Sequence, residues 1–369
     1  MGRINLPFKK GMLPMNRHKC RFQPFIPHSQ EVRGYPLCES PSYIVHRYNL
    51  EFRSQHGLIV ALDLASSKGN PPLPHEKTRT KKVEELKRHF SMSEWDENII
   101  MLITRWGDKL SQACRAVASK SEPIITKSGQ FGKEEFFLVN DSCVNAEISN
   151  LLNEIGDIVI ADGHHRVEAL RCSLAESEFP EQDTQILALL LPETEISVLS
   201  YNRIVKLQHG VELDEMITFL RERFQMRSVS PVTNSSNIFG DEILIVSALG
   251  FFTLRLPDEE KMKPSLSHRL QEEILIPYFE LNDPETSDRI EFVQGDLNTH
   301  SLSTYIENNH DRIAFILPPP SLEEIFKCAQ WNSLYPPHST YFPLKPASFL
   351  IRERQFMARK SNLSQPQRE

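Results

Sequence analysis

From Tyr43 onward the apolar positions of this 369-residue chain alternate, or run together, in β-branched and aromatic residues. YIVHRYNLEF (43–52) and GLIVALDL (57–64) therefore read as strands, and SSKGNPPLP between Ser66 and Pro74 as a loop. After the loop the spacing lengthens. From Thr78, Val83, Leu86 and Phe90 share one helical face while charge occupies the rest. ENIIMLITRW (97–106) is the next strand, the stretch from about Ala146 to Ile155 the next helix, and DIVIA (157–161) a short buried strand. A helix from about His164 to Ala175, with Val167, Leu170 and Leu174 on one face, opens directly from that strand, and QILALLLPE (185–193) is a strand after it. Strands alternating with helices to about Lys206 predict an α+β, or mixed α/β, fold class.

The pattern restarts near Glu212. VELDEMITFLRERF is a helix, EILIVSAL and FFTLRL are short strands, SHRLQEEILIPYF is a helix and RIAFILPPP a strand. A helix from about Ser321 to Gln330 precedes the proline-rich YPPHSTYFPLKP. The expected division is an irregular N-terminal arm over 1–42, a first unit over 43–206, a C-terminal α/β unit over 212–351 and a flexible tail over 352–369. The chain shows no internal repeat and no low-complexity tract.

Composition narrows the function classes. A hydrophobic fraction of 40% with 25% charged residues is that of a globular protein with room for a sizeable core. The formal charge of −7 disfavours a surface that coats nucleic acid or anionic membrane, since either partner selects a basic excess. The six cysteines never approach a CxxC spacing, so neither a zinc site nor a disulfide framework is indicated. The first residues are basic and interrupted by proline, unlike a secretory signal, and no run of about 18 apolar residues occurs. A cytoplasmic protein with no membrane partner is expected.

The segment DIVIADGHHRVEALR carries the sharpest chemistry. A buried strand ending in Asp162-Gly163 and turning at once into a helix leaves backbone N–H groups unpaired at the helix start, and those donors favour an anion. Arg166 adds a fork suited to phosphate, and His164 and His165 add imidazoles in the same turn. Gly163 permits close backbone approach or positive φ. Asp162 suits a Mg²⁺ that bridges phosphates. The competing reading makes Asp162 a simple helix cap and the histidines surface residues. It does not account for two histidines and an arginine crowding one turn after an apolar strand.

Two further segments stand out. Pro74-His75-Glu76-Lys77-Thr78 places in a loop a carboxylate able to accept the proton of an attacking hydroxyl, although a glutamate near a helix start is also stabilised by the helix dipole. Tyr335 to Lys345 brackets hydroxyls and a lysine with rigid prolines, which suits either a ligand loop or a packing segment. No GxGxxG, GxxxxGK[ST] or GxSxG occurs, which removes the Rossmann, P-loop and α/β-hydrolase routes.

Taken in the order HEKT, DGHHR, PPHSTYFPLK, these segments resemble the family known as domain of unknown function 1015, from about Tyr43 to Ile351. Pro-His-Glu followed by Asp-Gly-His-His-Arg is also similar to the free serine kinases. These share the ParB/sulfiredoxin-like fold, whose corresponding turns hold nucleotide phosphates. The resemblance implies a ParB/sulfiredoxin-like nucleotide-binding domain followed by a second α/β domain. It implies a kinase that phosphorylates the hydroxyl of free L-serine or a related amino acid, with ATP or ADP and Mg²⁺. Carried over by position, Glu76 becomes the catalytic carboxylate, with His165 beside it. Asp162, Gly163, His164, His165 and Arg166 become the nucleotide site, Asp162 the metal ligand, and Arg203, Ser339, Thr340 and Lys345 contacts to substrate or phosphate. His164 stands where sulfiredoxin has its nucleophilic cysteine, so thiol chemistry is not implied. Two positions depart from the family pattern: His338 replaces a lysine, and Asn202 a histidine. The alternative is a non-catalytic nucleotide-binding regulatory protein of ParB-like type. The expected partners are a small-molecule substrate and a nucleotide; nucleic acid is not expected, and the sequence does not define an oligomeric state.

Overall fold

The computed structural model describes residues 20–31, 35–67, 71–105, 107–176, 184–230, 241–257, 265–284, 286–296, 299–347 and 349–354. The larger of its two main sheets is built around Ser54–Asp63, ten residues buried almost throughout. On one side this strand pairs antiparallel with Ile44–Asn49, followed by Lys133–Leu138 and Ile125–Ser128. On the other side lie Gln185–Pro192, antiparallel, then Ile100–Thr104, parallel to it, and finally Ile158–Asp162.

Alternation along these strands separates two cores. Leu58, Val60 and Leu62 face one core with Ile100, Leu102 and Ile160, closed by Val83 and Phe90 of helix Thr80–Met92, Leu110 and Cys114 of Asp108–Lys120, Ile148 of Ser142–Glu154, and Val167 and Leu170 of His164–Ala175. Ile59 and Ala61 face the other core with Met101, Ile103, Leu187 and Leu189. That core is closed by Ile325 and Phe326 of helix Leu322–Gln330, with Phe342 and Leu350. Burial on both faces makes these strands read as continuous apolar runs.

Among the described residues the second sheet has six strands, all antiparallel, in the order Gln225–Val229, Gly250–Arg255, Glu242–Ser247, Arg312–Ile316, Asn202–Lys206, Ile290–Val293. Helix Leu213–Arg223 and the segment Leu266–Phe279, whose middle turn Gln271–Leu275 is π-helical, cover one face. Leu302 and Ile306 of Thr299–Glu307 cover the other. The molecule is thus α+β, its two main sheets one mixed and one antiparallel. Among the described residues no helix is long and apolar enough to cross a membrane.

Several boundaries differ from the sequence reading. Asn202–Lys206, placed in the first unit, lies inside the second sheet between two partners. Residues 322–351, placed in the second unit, return to the first sheet. The cause is the apolar face of helix Leu322–Gln330, because both faces of the second sheet are already covered by its own helices. Leu350–Glu353 then pairs with His28–Ser29 and Trp95–Asp96, and Arg21–Gln23 adds to the end of Ser54–Asp63. The expected arm therefore contributes two strands, while residues 1–19 of that arm and 355–369 of the expected tail lie outside the described residues. The helix Asp108–Lys120 and the strands Ile125–Ser128 and Lys133–Leu138 were not read from the sequence. The helix buries Ser111, Cys114 and Ala118 alongside Leu110 and Val117, so its apolar stripe is weakly written.

Candidate functional site

The edge strand Ile158–Asp162 ends in a glycine that turns the chain into helix His164–Ala175. Gly163 has φ 98°, and a Cβ there would stand 2.5 Å from Ile100 Cγ2, so both conformation and space call for glycine. The Arg166 and Val167 amides return to the Gly163 carbonyl at 2.9 and 3.1 Å. No side chain caps this helix, so the capping role weighed for Asp162 is not the one it plays: Asp162 Oδ1 accepts from Lys345 Nζ at 2.6 Å.

The PLPHEKT segment runs beside this strand. The Leu73 amide donates to the Ile158 carbonyl at 2.9 Å and the Ile160 amide to Leu73 at 2.9 Å. On its other side the Tyr335 amide donates to the His75 carbonyl at 2.8 Å, and the Lys77 amide to Tyr335 at 2.9 Å. Two backbone neighbours therefore fix Glu76. Helix Thr80–Met92 follows at once, and the Arg79 amide at its start donates to His165 Nε2 at 3.0 Å. One histidine ring thus ties two helix starts together, and neither helix has a side-chain cap of its own.

Between these helix starts and the Tyr201 and Pro337–Thr340 segments lies a cavity of about 570 Å³. Its wall includes Glu76, Arg79, Lys82, Asp162 to Arg166, Tyr201, His338 and Thr340. Glu76 Oε1 accepts from the Thr340 amide at 2.7 Å, the Ser339 amide at 3.2 Å and Thr340 Oγ1 at 2.5 Å, which leaves Oε2 as the oxygen available to a ligand. Burial pushes the Glu76 carboxyl up to about 7 against the lowering effect of those hydrogen bonds, and the charge of Asp162 adds to the rise. His75, fully buried, lies behind: its Nε2 is 2.8 Å from Thr340 Oγ1 and its Nδ1 2.7 Å from the Ile160 carbonyl. Burial brings His75 down to about 4 and holds His164 well below the ordinary histidine value. The two rings meet edge to face, 4.6 Å between centroids. His165 is lowered too, by burial first and then by the charges of Arg79 and Lys82.

The structure brings Glu76, Asp162 to Arg166 and Thr340 to one cavity, with Lys345 on Asp162. It does not bring Arg203 or the Ser339 hydroxyl there. Arg203 is buried and donates to the Tyr201 carbonyl at 2.5 Å and the His338 carbonyl at 3.1 Å. Ser339 Oγ donates to the Pro336 carbonyl and accepts from Ser267 Oγ; only its amide reaches Glu76. His165 Nε2 accepts the Arg79 amide at 3.0 Å, a bond that positions its ring at the cavity wall. His338 takes φ 58° between Phe292 and Tyr201, and burial lowers it to about 4. Asn202 Oδ1 accepts the Leu317 amide at 3.3 Å, a bond that joins neighbouring chain segments. His75, Arg79, Lys82 and Tyr201 went unassigned in the sequence. Only His75 and Arg79 carried a signal, from their places beside Glu76 and at the helix start. Asp162 is a single carboxylate held by an ammonium, and among the described residues no three His, Cys, Asp or Glu side chains group to hold a metal ion. A Mg²⁺ there would need the phosphate oxygens of a bound nucleotide beside that one carboxylate.

The chain is α+β with two main sheets, and two helix starts open on one cavity lined by acidic and cationic side chains. The chain belongs to the family described as protein of unknown function DUF1015, whose profile matches residues 37–305. No curated protein matches it. Among solved structures it is similar to SbnI with a C-terminal truncation from Staphylococcus aureus, at 12% identity and a TM-score of 0.41, over 75% of this chain and 81% of that one. It is similar to a free serine kinase mutant in complex with AMP, at 15% identity and a TM-score of 0.44, over 81% of this chain and 93% of that one. A conserved hypothetical protein from Pyrococcus furiosus matches at 14% identity and a TM-score of 0.40, over 81% of this chain and 96% of that one.

Proposed function

We propose that this protein is a kinase that transfers a phosphoryl group from ATP or ADP to the hydroxyl of a small metabolite, free L-serine or a related amino acid. The observation that carries this reading is Glu76 in the wall of the cavity onto which two helix starts, Arg79 and Arg166 also open. Amides at helix starts and guanidinium groups suit phosphate oxygens. A carboxylate with one uncommitted oxygen suits the hydroxyl that attacks. The acceptor O–H breaks as its proton passes to Glu76 Oε2, the new O–P bond forms, and the donor P–O bond breaks with its electron pair leaving on the nucleotide. Positioning and neutralisation of charge are most of what phosphoryl transfer requires. Mg²⁺ enters as part of the nucleotide complex, and no step is assigned to a metal held by the protein. Lys345 keeps Asp162 neutralised at the cavity wall, and Thr340 holds Glu76 in place.

Paired measurements test the reading. Glu76→Ala is expected to abolish turnover while keeping thermal stabilisation by nucleotide, because a ligand that binds only the folded state raises apparent stability. Arg166→Ala is expected to reduce both. Stabilisation by nucleotide in the parent with no product from any amino acid would favour the regulatory reading instead.

A further inference from the structure

We propose that Glu76, Thr340 and His75 form a relay that holds one proton between them, passed through the Thr340 hydroxyl, so that Glu76 is ionised whenever the proton sits on His75. The relay deepens the proposed function by naming how the base is made ready. It rests on that reading only for the use to which Glu76 is put.

Counting hydrogens leads to this conclusion. The Ile160 carbonyl can only accept, so His75 Nδ1, 2.7 Å away, carries a hydrogen. His164 Nε2 accepts the His75 amide at 3.4 Å and lies 3.2 Å from the same Nδ1, so it adds a second acceptor there. The Thr340 hydroxyl has one hydrogen and two neighbours, His75 Nε2 at 2.8 Å and Glu76 Oε1 at 2.5 Å. If it donates to Glu76, His75 Nε2 must also carry a hydrogen, and the pair is carboxylate and imidazolium. If it donates to His75, Glu76 must carry the hydrogen, and the pair is neutral. Both arrangements contain the same number of protons. An ionised Glu76 beside a neutral His75 has one fewer, and it sets two acceptors against each other, at the 2.7 Å, the 2.8 Å or the 2.5 Å contact.

The two permitted arrangements are driven by opposing forces. Two amides and a hydroxyl converge on Glu76 Oε1 and favour the carboxylate, whereas burial disfavours both charges. The surroundings bear on the balance. Asp162, itself held by Lys345, raises both groups, and the Arg203 guanidinium faces Glu76 from the second sheet. Burial holds Tyr201, Tyr335 and Cys328 in their neutral forms, and His164 and His338 are likewise kept neutral. When the proton sits on His75, Oε2 of Glu76 takes the proton of the attacking hydroxyl. The acquired proton then leaves by the cavity, where the Glu76 side chain is 13% exposed.

The test is nuclear magnetic resonance on the full chain without nucleotide, with ¹⁵N in the histidine rings and ¹³C in the glutamate carboxyls, followed through the neutral pH range. The relay predicts that the His75 Nε2 and Glu76 signals move together at one apparent midpoint, as a coupled pair must. Thr340→Val should split that midpoint into two, and Thr340→Ser should rejoin it. A His75 signal that stays constant while Glu76 titrates overturns the relay. So does a Glu76 midpoint that Thr340→Val leaves unmoved. The parent measurement decides the matter even if the valine variant does not fold. Absence of phosphoryl transfer would defeat the proposed function and leave this result standing, whereas turnover with an unresponsive His75 would defeat the relay alone.

Discussion

Glu76 is where hydrogen bonding and burial oppose each other most directly, and the consequence is measurable as stability against pH. Its carboxyl is raised from the ordinary 4.5 to about 7 by burial. A group raised in the fold contributes stability that is fully present below its unfolded value and is lost as pH rises through the folded one. Glu76→Gln cannot ionise, so it is expected to gain on the parent between about pH 5 and pH 8, by on the order of 2 to 3 kcal/mol at most. Denaturant titrations at the two pH values check this; a difference independent of pH would contradict it. Gly163→Ala should destabilise by about 1 to 3 kcal/mol, from the strained positive φ and the contact with Ile100, and thermal unfolding reads the loss. Glu76 and the Asp-Gly-His-His-Arg turn stand out in the sequence because each is a compact motif. The part His75 plays is not legible there, since its partner Thr340 lies 265 residues further on.

The two helices that open on the cavity are joined through His165, and their combined starts form the proposed anion site. Arg166→Ala removes one charged donor and is expected to weaken nucleotide binding by about 1.5 to 3 kcal/mol, read by calorimetry. An affinity unchanged by that substitution would place the phosphates elsewhere. Apolar periodicity located helix His164–Ala175 because Val167 and Leu170 fall on one face, and it located the strands buried on both faces as apolar runs. Asp108–Lys120 escaped because serine, cysteine and alanine fill much of its buried side. The pairing of Asp162 with Lys345, which stands where the cap reading put a bond to the helix start, is a contact between distant elements that no local spacing encodes.

The cavity is assembled from stretches far apart along the chain, and one of its walls comes from the segment that returns to the first sheet. Helix Leu322–Gln330 puts Ile325 and Phe326 into the second core of that sheet, and Tyr335 and Thr340 then reach His75 and Glu76. Phe326→Ala should therefore cost about 3 to 5 kcal/mol and loosen the site as well as the core. A fragment ending at residue 206 would expose the face that this segment covers. It is expected to lack cooperative unfolding by calorimetry, and a fragment with a sharp transition would contradict that dependence. Unit boundaries read along the sequence missed this return, because the apolar face of a helix does not say which sheet it will meet.

The most direct measurement is mass spectrometry of the full chain incubated with pooled amino acids and either ATP or ADP, beside Glu76→Ala. One amino acid should gain a phosphoryl group as the nucleotide loses one, with no product from the variant. No phosphorylated amino acid from either donor, or equal product from Glu76→Ala, would contradict it.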